Sequence, residues 1–437
     1  MANETYTLIQ KTTLNASAAS ITFSSIPQTF TDLKIVVSAR DVSVTYSSLY
    51  IAINGTAVTS LRKVLGNGSS ASSGTDYVGL IDGTASTASV FGNADIYIPN
   101  YTSSNYKSLS IDMVSENNAT GAHQFLTAAI SPATTAISTL AFTCDGSFEK
   151  YTSVSLYGVA KLGVTPTGIP KASGGDIITN DGTYWIHQFL NSGTFTPNRP
   201  LSCGYLVVAG GGGGARGSYG NGGGGGAGGL RSTVTATGGG GALESALSVT
   251  AQAYTITVGA GGAGSLTASS NGANSVFSTI TSTGGGRGGQ AANDAGNTGG
   301  SGGGGGTSAG SGTTNQGYAG GTAGVPSGVT GGGGGGGGGA NAVGANGAAG
   351  NGAAGGAGGA GVSTSITGSS VTYAGGGGGS SEAGSGGAGG TGGGGSGAGG
   401  VSGVGSSGTA NSGGGGGSGY ATVGNGGSGI VIIRYAM

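Results

Sequence analysis

Apolar and polar residues alternate with period two in short stretches through the first part of the chain. Thr5-Tyr-Thr-Leu-Ile9, Ser20-Ile-Thr-Phe23, Leu33-Lys-Ile-Val-Val-Ser38 and Leu49-Tyr-Ile-Ala-Ile53 read as strands, as do Ala94-Asp-Ile-Tyr-Ile98 and Leu109-Ser-Ile-Asp-Met-Val114. Phe125-Leu-Thr-Ala-Ala-Ile130, Thr139-Leu-Ala-Phe-Thr143 and Val154-Ser-Leu-Tyr-Gly-Val159 continue the series. Turn chemistry separates them, as at Asn54-Gly55, Asn67-Gly68, Asp82-Gly83 and Asp145-Gly146. No window shows helical spacing with caps. The pattern predicts an all-β domain over residues 1–162, an antiparallel β-sandwich of jelly-roll type with one face of each sheet in water.

The pattern then changes. Residues 163–175 read as a linker stiffened by Pro166 and Pro170. A hairpin turning at Asp181-Gly182 follows, with Trp185 and Phe189 as its core anchors. From residue 204 onward, glycine runs alternate with short strands at 206–209, 253–258, 275–280, 369–373 and 429–435. The chain of 437 residues holds 109 glycines, and 93 of them lie from Leu201 on. Of 29 charged residues only seven follow Gly204: Arg216, Arg231, Glu244, Arg287, Asp294, Glu382 and Arg434. A collagen helix is excluded, because the spacing is not strictly three and Pro326 is the only proline after Pro200. A core of ordinary large side chains is equally excluded there.

A glycine run that is more than a linker must exploit its missing side chains. An extended helix of three residues per turn points its N–H and C=O groups outward, so many such helices can pack side by side and bond to one another. Glycine's large entropy loss on ordering opposes this, so many must zip together or none will. The predicted architecture for residues 176–437 is therefore a glycine-rich domain of packed polyglycine II helices with a few strands. The triplet spacing of Gly352, Gly355, Gly358 and Gly361 fits it, with alanine placed at the outer edge.

Chemistry is sparse. His123 and His187 are the only histidines, and neither has a metal-ligand or triad partner at a telling spacing. His187 reads as a packed strand residue. Asp95 and Asp112 read as solvent-facing, and as a carboxylate pair only in an unfavoured enzymatic reading as a polysaccharide hydrolase. Tyr46, Tyr50, Tyr97, Tyr101 and Tyr106 fill strand faces or an interface more readily than they stack on sugars. Cys144 and Cys203 read as lone thiols. The many GxGxxG matches follow from composition, since none joins a strand to a helix. The expectation is a non-enzyme with no cofactor and no metal. The net charge of −1 and the absence of long apolar stretches predict no nucleic-acid binding and no membrane insertion.

One constellation is more specific. Trp185-Ile-His-Gln-Phe189, Gly193-Thr-Phe-Thr196 and Tyr205-Leu-Val-Val-Ala-Gly-Gly-Gly-Gly-Gly214 occur in that order. Tyr254-Thr-Ile-Thr-Val-Gly-Ala-Gly-Gly262, Asn274-Ser-Val-Phe-Ser278, Gly284-Gly-Gly-Arg-Gly-Gly289 and Gly427-Ser-Gly-Ile-Val-Ile-Ile-Arg-Tyr435 complete it. The series resembles the glycine-rich domain of phage tail fibres and adhesins. The resemblance implies a polyglycine-helix sandwich whose loops contact a host cell-surface receptor, with a glycan as the favoured chemistry. The protein would then stand on the virion surface, in the tail fibre, after synthesis in the host cytoplasm. It would be a homo-oligomer, a trimer by preference, joined to other virion proteins through the N-terminal sandwich. Receptor-binding candidates are Arg216, Tyr219, Asn221, Asn293, Asp294, Gln316, Tyr318 and Glu382. Their loops also include residues 325–330. The rivals are a capsid decoration or head fibre, and a non-viral ice-binding or cell-surface structural protein.

Overall fold

A computed structural model describes residues 6–84, 86–116, 122–161, 168–217, 222–290, 294–306, 308–324, 332–350 and 352–437. Two compact units emerge, one of residues 1–171, 176–185 and 437, the other of residues 172–175 and 186–436.

The first unit is all-β. It contains β1 (Tyr6–Thr13), β2 (Ala18–Phe23), β3 (Phe30–Ala39), β4 (Tyr46–Ile53), β5 (Thr56–Ala57), β6 (Ser60–Gly66) and β7 (Ala71–Gly74). β8 (Gly79–Asp82), β9 (Gly92–Ile98), β10 (Lys107–Glu116), β11 (Ala122–Ser131), β12 (Leu140–Phe148) and β13 (Ser153–Ala160) follow. One antiparallel sheet runs β1-β13-β3-β9-β10-β11-β6-β7. The other runs β2-β12-β4-β5, with β8 also on β4. The predicted alternation is plain in β10, where Leu109, Ile111 and Met113 are buried while Ser108, Asp112 and Val114 point to solvent. Leu33, Ile35 and Val37 of one sheet and Ile21, Phe23, Leu49, Ile51 and Phe142 of the other join them in a single core. Each such aliphatic burial stabilises the fold by about 1.5–3 kcal/mol.

The alternation did not reveal β5 to β8. In β6 the inward positions are Leu61, Lys63 and Leu65, so a cation interrupts the apolar row. Lys63 is buried because its ammonium bonds Asp76 at 2.5 Å and lies 2.9 Å from the centroid of the Tyr77 ring.

β14 (Ala172–Ser173) belongs to the second unit, so part of the expected linker is a strand paired with residues 196–197. β15 (Ile177–Asn180) joins the first unit against Lys11. The turn after β15 lies where Asp181-Gly182 predicts it. Asp181 Oδ1 accepts from the N–H groups of Thr183 and Tyr184, and Gly182 takes φ +88°. β16 (Tyr184–Phe189), β17 (Gly193–Pro197), β18 (Leu201–Val208), β19 (Leu230–Ser232), β20 (Leu247–Val249) and β21 (Tyr254–Thr257) come next. They are followed by β22 (Ser275–Phe277), β23 (Ile280–Ser282), β24 (Val362–Thr364), β25 (Val371–Tyr373) and β26 (Ile430–Ala436).

In the second unit β18 pairs with β19, β20 and β26, all antiparallel. A second sheet runs β14-β17-β21-β22-β23, and β24 pairs with β25. Residues 275–280, expected as one strand, instead begin the β22–β23 hairpin, which turns through Ser278 at φ +53°. One turn of 3-10 helix at Gly238–Gly240 is the only helical element among the described residues.

Rings gather around Phe195. Its centroid lies 5.3 Å from that of His187, 6.0 Å from Phe277 and 6.3 Å from Tyr435. His187 is fully buried, with Nδ1 2.7 Å from the Gly174 carbonyl and Nε2 2.9 Å from the Tyr435 hydroxyl. The carbonyl can only accept, so Nδ1 carries the proton and Nε2 accepts from Tyr435. Burial depresses the imidazole from its ordinary 6.5 to about 4. The unfolded chain therefore binds this proton between pH 6.5 and 4, whereas the folded chain does not. Stability from His187 is complete above pH 6.5 and falls by about 3 kcal/mol as the pH drops through that window. Melting of the wild type at pH 7.5 and 4.5, beside His187→Gln, checks this. The variant should lose most of the pH dependence, and equal slopes for the two proteins would refute the assignment.

The glycine runs form the rest of the unit. Along residues 223–229 the N–H groups of Gly223, Gly226 and Gly229 bond to Gly289, Gly286 and Thr283. Those of Gly224 and Ala227 bond to Gly335 and Gly338, and those of Gly225 and Gly228 to Gly416 and Gly413. Each N–H thus faces a different neighbouring segment, and the cycle repeats every third residue. Burial follows glycine content. Residues 222–229 and 332–340 are buried throughout. In residues 344–349 only Gly344 and Gly347 are buried, while Ala345, Asn346, Ala348 and Ala349 are exposed. The glycine runs within 222–229 and 332–340 are therefore inner segments and residues 344–349 an outer one, whereas the runs Gly238–Gly241 and Gly392–Gly395 lie at connections and are only partly buried.

Candidate functional site

Successive glycine segments run in alternating directions, so their connections collect at two ends. At one end Ala215 bridges Ser265, Arg216 bridges Gly419, Gly333 bridges Ser381, and Ser381 bridges Gly399. The Ser380 N–H bonds to the Gly222 carbonyl, and Gln290 Nε2 donates to the Ser265 carbonyl. At the other end Leu230 N–H bonds to the Gln316 carbonyl, Gly239 N–H to Ala340, and Thr364 Oγ1 to Val234. β19, β22, β23 and the β24–β25 hairpin belong to this second end.

The candidate residues are divided accordingly. Arg216, Asp294 and Glu382 stand at the first end, the end of Ser265 and Ser381. Gln316 and Tyr318 stand at or beside the opposite end, so the eight candidates do not form one patch. Tyr219, Asn221, Asn293 and the 325–330 loop lie outside the described residues. Arg216 is exposed and Glu382 is half-buried. Asp294 is engaged internally: its Oδ2 lies 2.6 Å from Arg287 Nη1 and 3.0 Å from the Gln290 nitrogen. Burial pushes its carboxyl up, but the hydrogen bonds from Arg287 and Gln290 outweigh that and hold it below the usual range.

The second end contains a cavity of about 520 Å³. It is lined from one stretch by Ala242, Leu243, Glu244 and Ser245, from another by Thr314, Asn315 and Gln316, with Arg231 between. Arg231 Nε donates to Glu244 Oε1 and Nη2 to Oε2, each at 2.7 Å, and Tyr205 donates to Oε2 at 2.6 Å. Burial works to raise the Glu244 carboxyl, yet the bonds from Arg231 and Tyr205 hold it below the ordinary range. Gln316 Oε1 accepts from the Thr283 N–H at 2.8 Å, which fixes the side chain. Asn315 sits in the left-handed region at φ +58°. Gln316 was a sequence candidate, but Arg231 and Glu244 were not. The available signal was two opposite charges only 13 residues apart in a nearly uncharged region.

In the first unit, Asp95 and Asp112 prove to be direct neighbours across β9 and β10. Both are exposed, and Asp95 is bridged to Lys34 at 2.8 Å, which screens the like-charge contact. Cys144 and Cys203 are free and buried, and burial raises each thiol to about 12. Among the described residues no three of His, Cys, Asp and Glu gather closely enough to hold a metal ion. None of the helices described is long and apolar enough to cross a membrane.

Compared with known proteins, residues 190–436 match a family model described as a glycine-rich domain. No curated protein and no solved structure matches the chain.

Proposed function

Because the chain belongs to the glycine-rich domain family over residues 190–436, we propose that it is a phage virion surface protein, an adhesin of the tail fibre that binds a host cell-surface glycan. The glycine segments are polyglycine II helices in this reading. They form a scaffold without side chains of its own, and the residues that interrupt them carry recognition. The observation that carries the reading is the collection of the connections at two ends, with exposed Arg216 and half-buried Glu382 at one of them. Short polar connections on a rigid frame suit many shallow contacts, and several copies multiply a weak affinity. The N-terminal sandwich mounts the chain on the particle and supports a homo-oligomer. Catalysis has no part in it.

The test is capture of host envelope polysaccharide by the purified full chain. Arg216→Ala combined with Glu382→Ala should melt like the wild type and bind about tenfold more weakly, the equivalent of about 1.4 kcal/mol. Failure of the wild type to capture any envelope fraction would overturn the adhesin reading.

A further inference from the structure

The cavity beside Arg231 lies at the opposite end from Arg216 and Glu382, and its lining is specific enough to name a ligand class. We propose that it is a second binding site, for an uncharged saccharide unit. This goes beyond receptor recognition by the first end and stands on the lining alone.

Charge is the first argument. Arg231 and Glu244 are the only charged residues of the lining, and they neutralise one another through two bonds of 2.7 Å. A phosphate or carboxylate entering the cavity would meet a guanidinium already engaged by a carboxylate. A cationic ligand would meet a carboxylate already engaged by Arg231 and Tyr205. Neither ion gains an unpaired counter-charge to offset its desolvation.

Hydrogen-bonding character is the second. Ser245 and Thr314 offer hydroxyls that both donate and accept, and the Asn315 amide does the same. Gln316 commits its Oε1 to Thr283 and keeps its Nε2 as a donor. Glu244 Oε2 already accepts from Arg231 and Tyr205, whereas Oε1 accepts from Arg231 and keeps a second accepting site, enough for one ligand hydroxyl. Hydroxyl groups, which also donate and accept, are the chemistry that uses all of these at once. Leu243, 49% exposed, adds an apolar surface for the C–H face of a sugar ring. The volume of about 520 Å³ lies within the usual range for small-molecule sites.

Preorganisation is the third. The Gln316 backbone is held by its carbonyl to Leu230 and by its N–H to Thr313. The ion pair is anchored further by Arg231 Nη1 on the Thr281 carbonyl. Little ordering is left for the ligand to impose.

The experiment titrates the purified full chain with neutral oligosaccharides of glucose, galactose, mannose and N-acetylglucosamine. Binding is read by calorimetry and by saturation-transfer NMR. Inorganic phosphate and glucuronate serve as competitors. At least one neutral oligosaccharide should bind saturably, and neither anion should displace it. Thr314→Trp, which fills the cavity from an exposed position, should weaken binding at least tenfold without lowering the melting temperature. Asn315→Asp, which removes the amide donor at similar size, should weaken it several-fold. The Arg216→Ala, Glu382→Ala double variant should bind the oligosaccharide normally, which separates this site from receptor recognition at the other end. The proposal fails if no neutral oligosaccharide binds, if the anions compete, or if a folded Thr314→Trp variant binds as well as the wild type.

Discussion

Gly225→Ala is expected to unfold the C-terminal unit at temperatures where the wild type is intact. A Cβ at this position would stand 2.1 Å from the Gly212 carbonyl oxygen and 2.7 Å from its carbon. Those atoms are backbone, so no side chain can swing aside. The Gly212 carbonyl cannot retreat freely, because the Gly416 N–H bonds to it. Gly225 itself is tied by its N–H to the Gly416 carbonyl and by its carbonyl to the Gly377 N–H, both at 2.8 Å. Relief at one point would break bonds to several segments. The cost should exceed about 4 kcal/mol, in the tail of single-residue effects. That corresponds to a loss of melting temperature on the order of 10 °C or more. Gly400→Asn is the control. Gly400 lies in a turn at φ +81°, a Cβ there meets nothing within 4 Å, and asparagine tolerates the left-handed region. It should melt within a few degrees of the wild type. Calorimetry on the two variants decides the matter, and a Gly225→Ala protein that melts with the wild type would mean the inner segments are not packed as described.

On the adhesin function proposed above, virions whose copy of this chain stops after Lys171 should assemble in normal numbers and fail to adsorb. The core of the N-terminal unit runs from Ile9 to Leu156, so the shortened chain keeps every fully buried member of it. It loses β15, with the pairing of Ile178 to Lys11, the hydrogen bond from the Thr13 N–H to the Asp176 carbonyl, and the buried side chains of Ile178 and Trp185. All of the glycine-rich domain, with both of its ends, is removed. Adsorption should fall by several orders of magnitude, measured as free particles remaining after mixing with host cells. Normal adsorption by such particles would remove the receptor-binding role. Loss of the particles themselves would instead make the C-terminal unit part of the assembly, as a structural decoration would be.

The first unit was largely legible because its strands obey period two, and nine of them could be read directly from that rule. The missed stretch, β5 to β8, hides its alternation behind a buried Lys63 and the buried carboxyl of Asp82. Burial raises that carboxyl, a price offset in part by hydrogen bonds from Ser86 and the Glu116 N–H. Glu116 arrives from a distant strand, while Ser86, Asp76 and Tyr77 sit in nearby connections that carry no period-two pattern, so none of them marks the inward polar positions. In the second unit, the all-glycine stretches indicated close packing, but nothing in them names a partner. That Gly224 bonds to Gly335 and Gly225 to Gly416 depends on the whole folded chain. For the same reason the sequence grouped Gln316 with Arg216, although they belong to opposite ends. Arg231 and Glu244 were visible as rare charges, but only folding brings them together with Asn315 and Gln316.

The three-residue cycle along residues 223–229 also restricts how such a chain can change its length. Within an all-glycine segment no side chain records position, so register is kept by counting alone. Removing one glycine would turn every later N–H toward the wrong neighbour, and removing two would do the same in the other sense. Removing three shifts the segment by one full period and restores the facing of each group. The inner segments are therefore free to lengthen or shorten only in triplets, while the connections at their ends can absorb any number of residues.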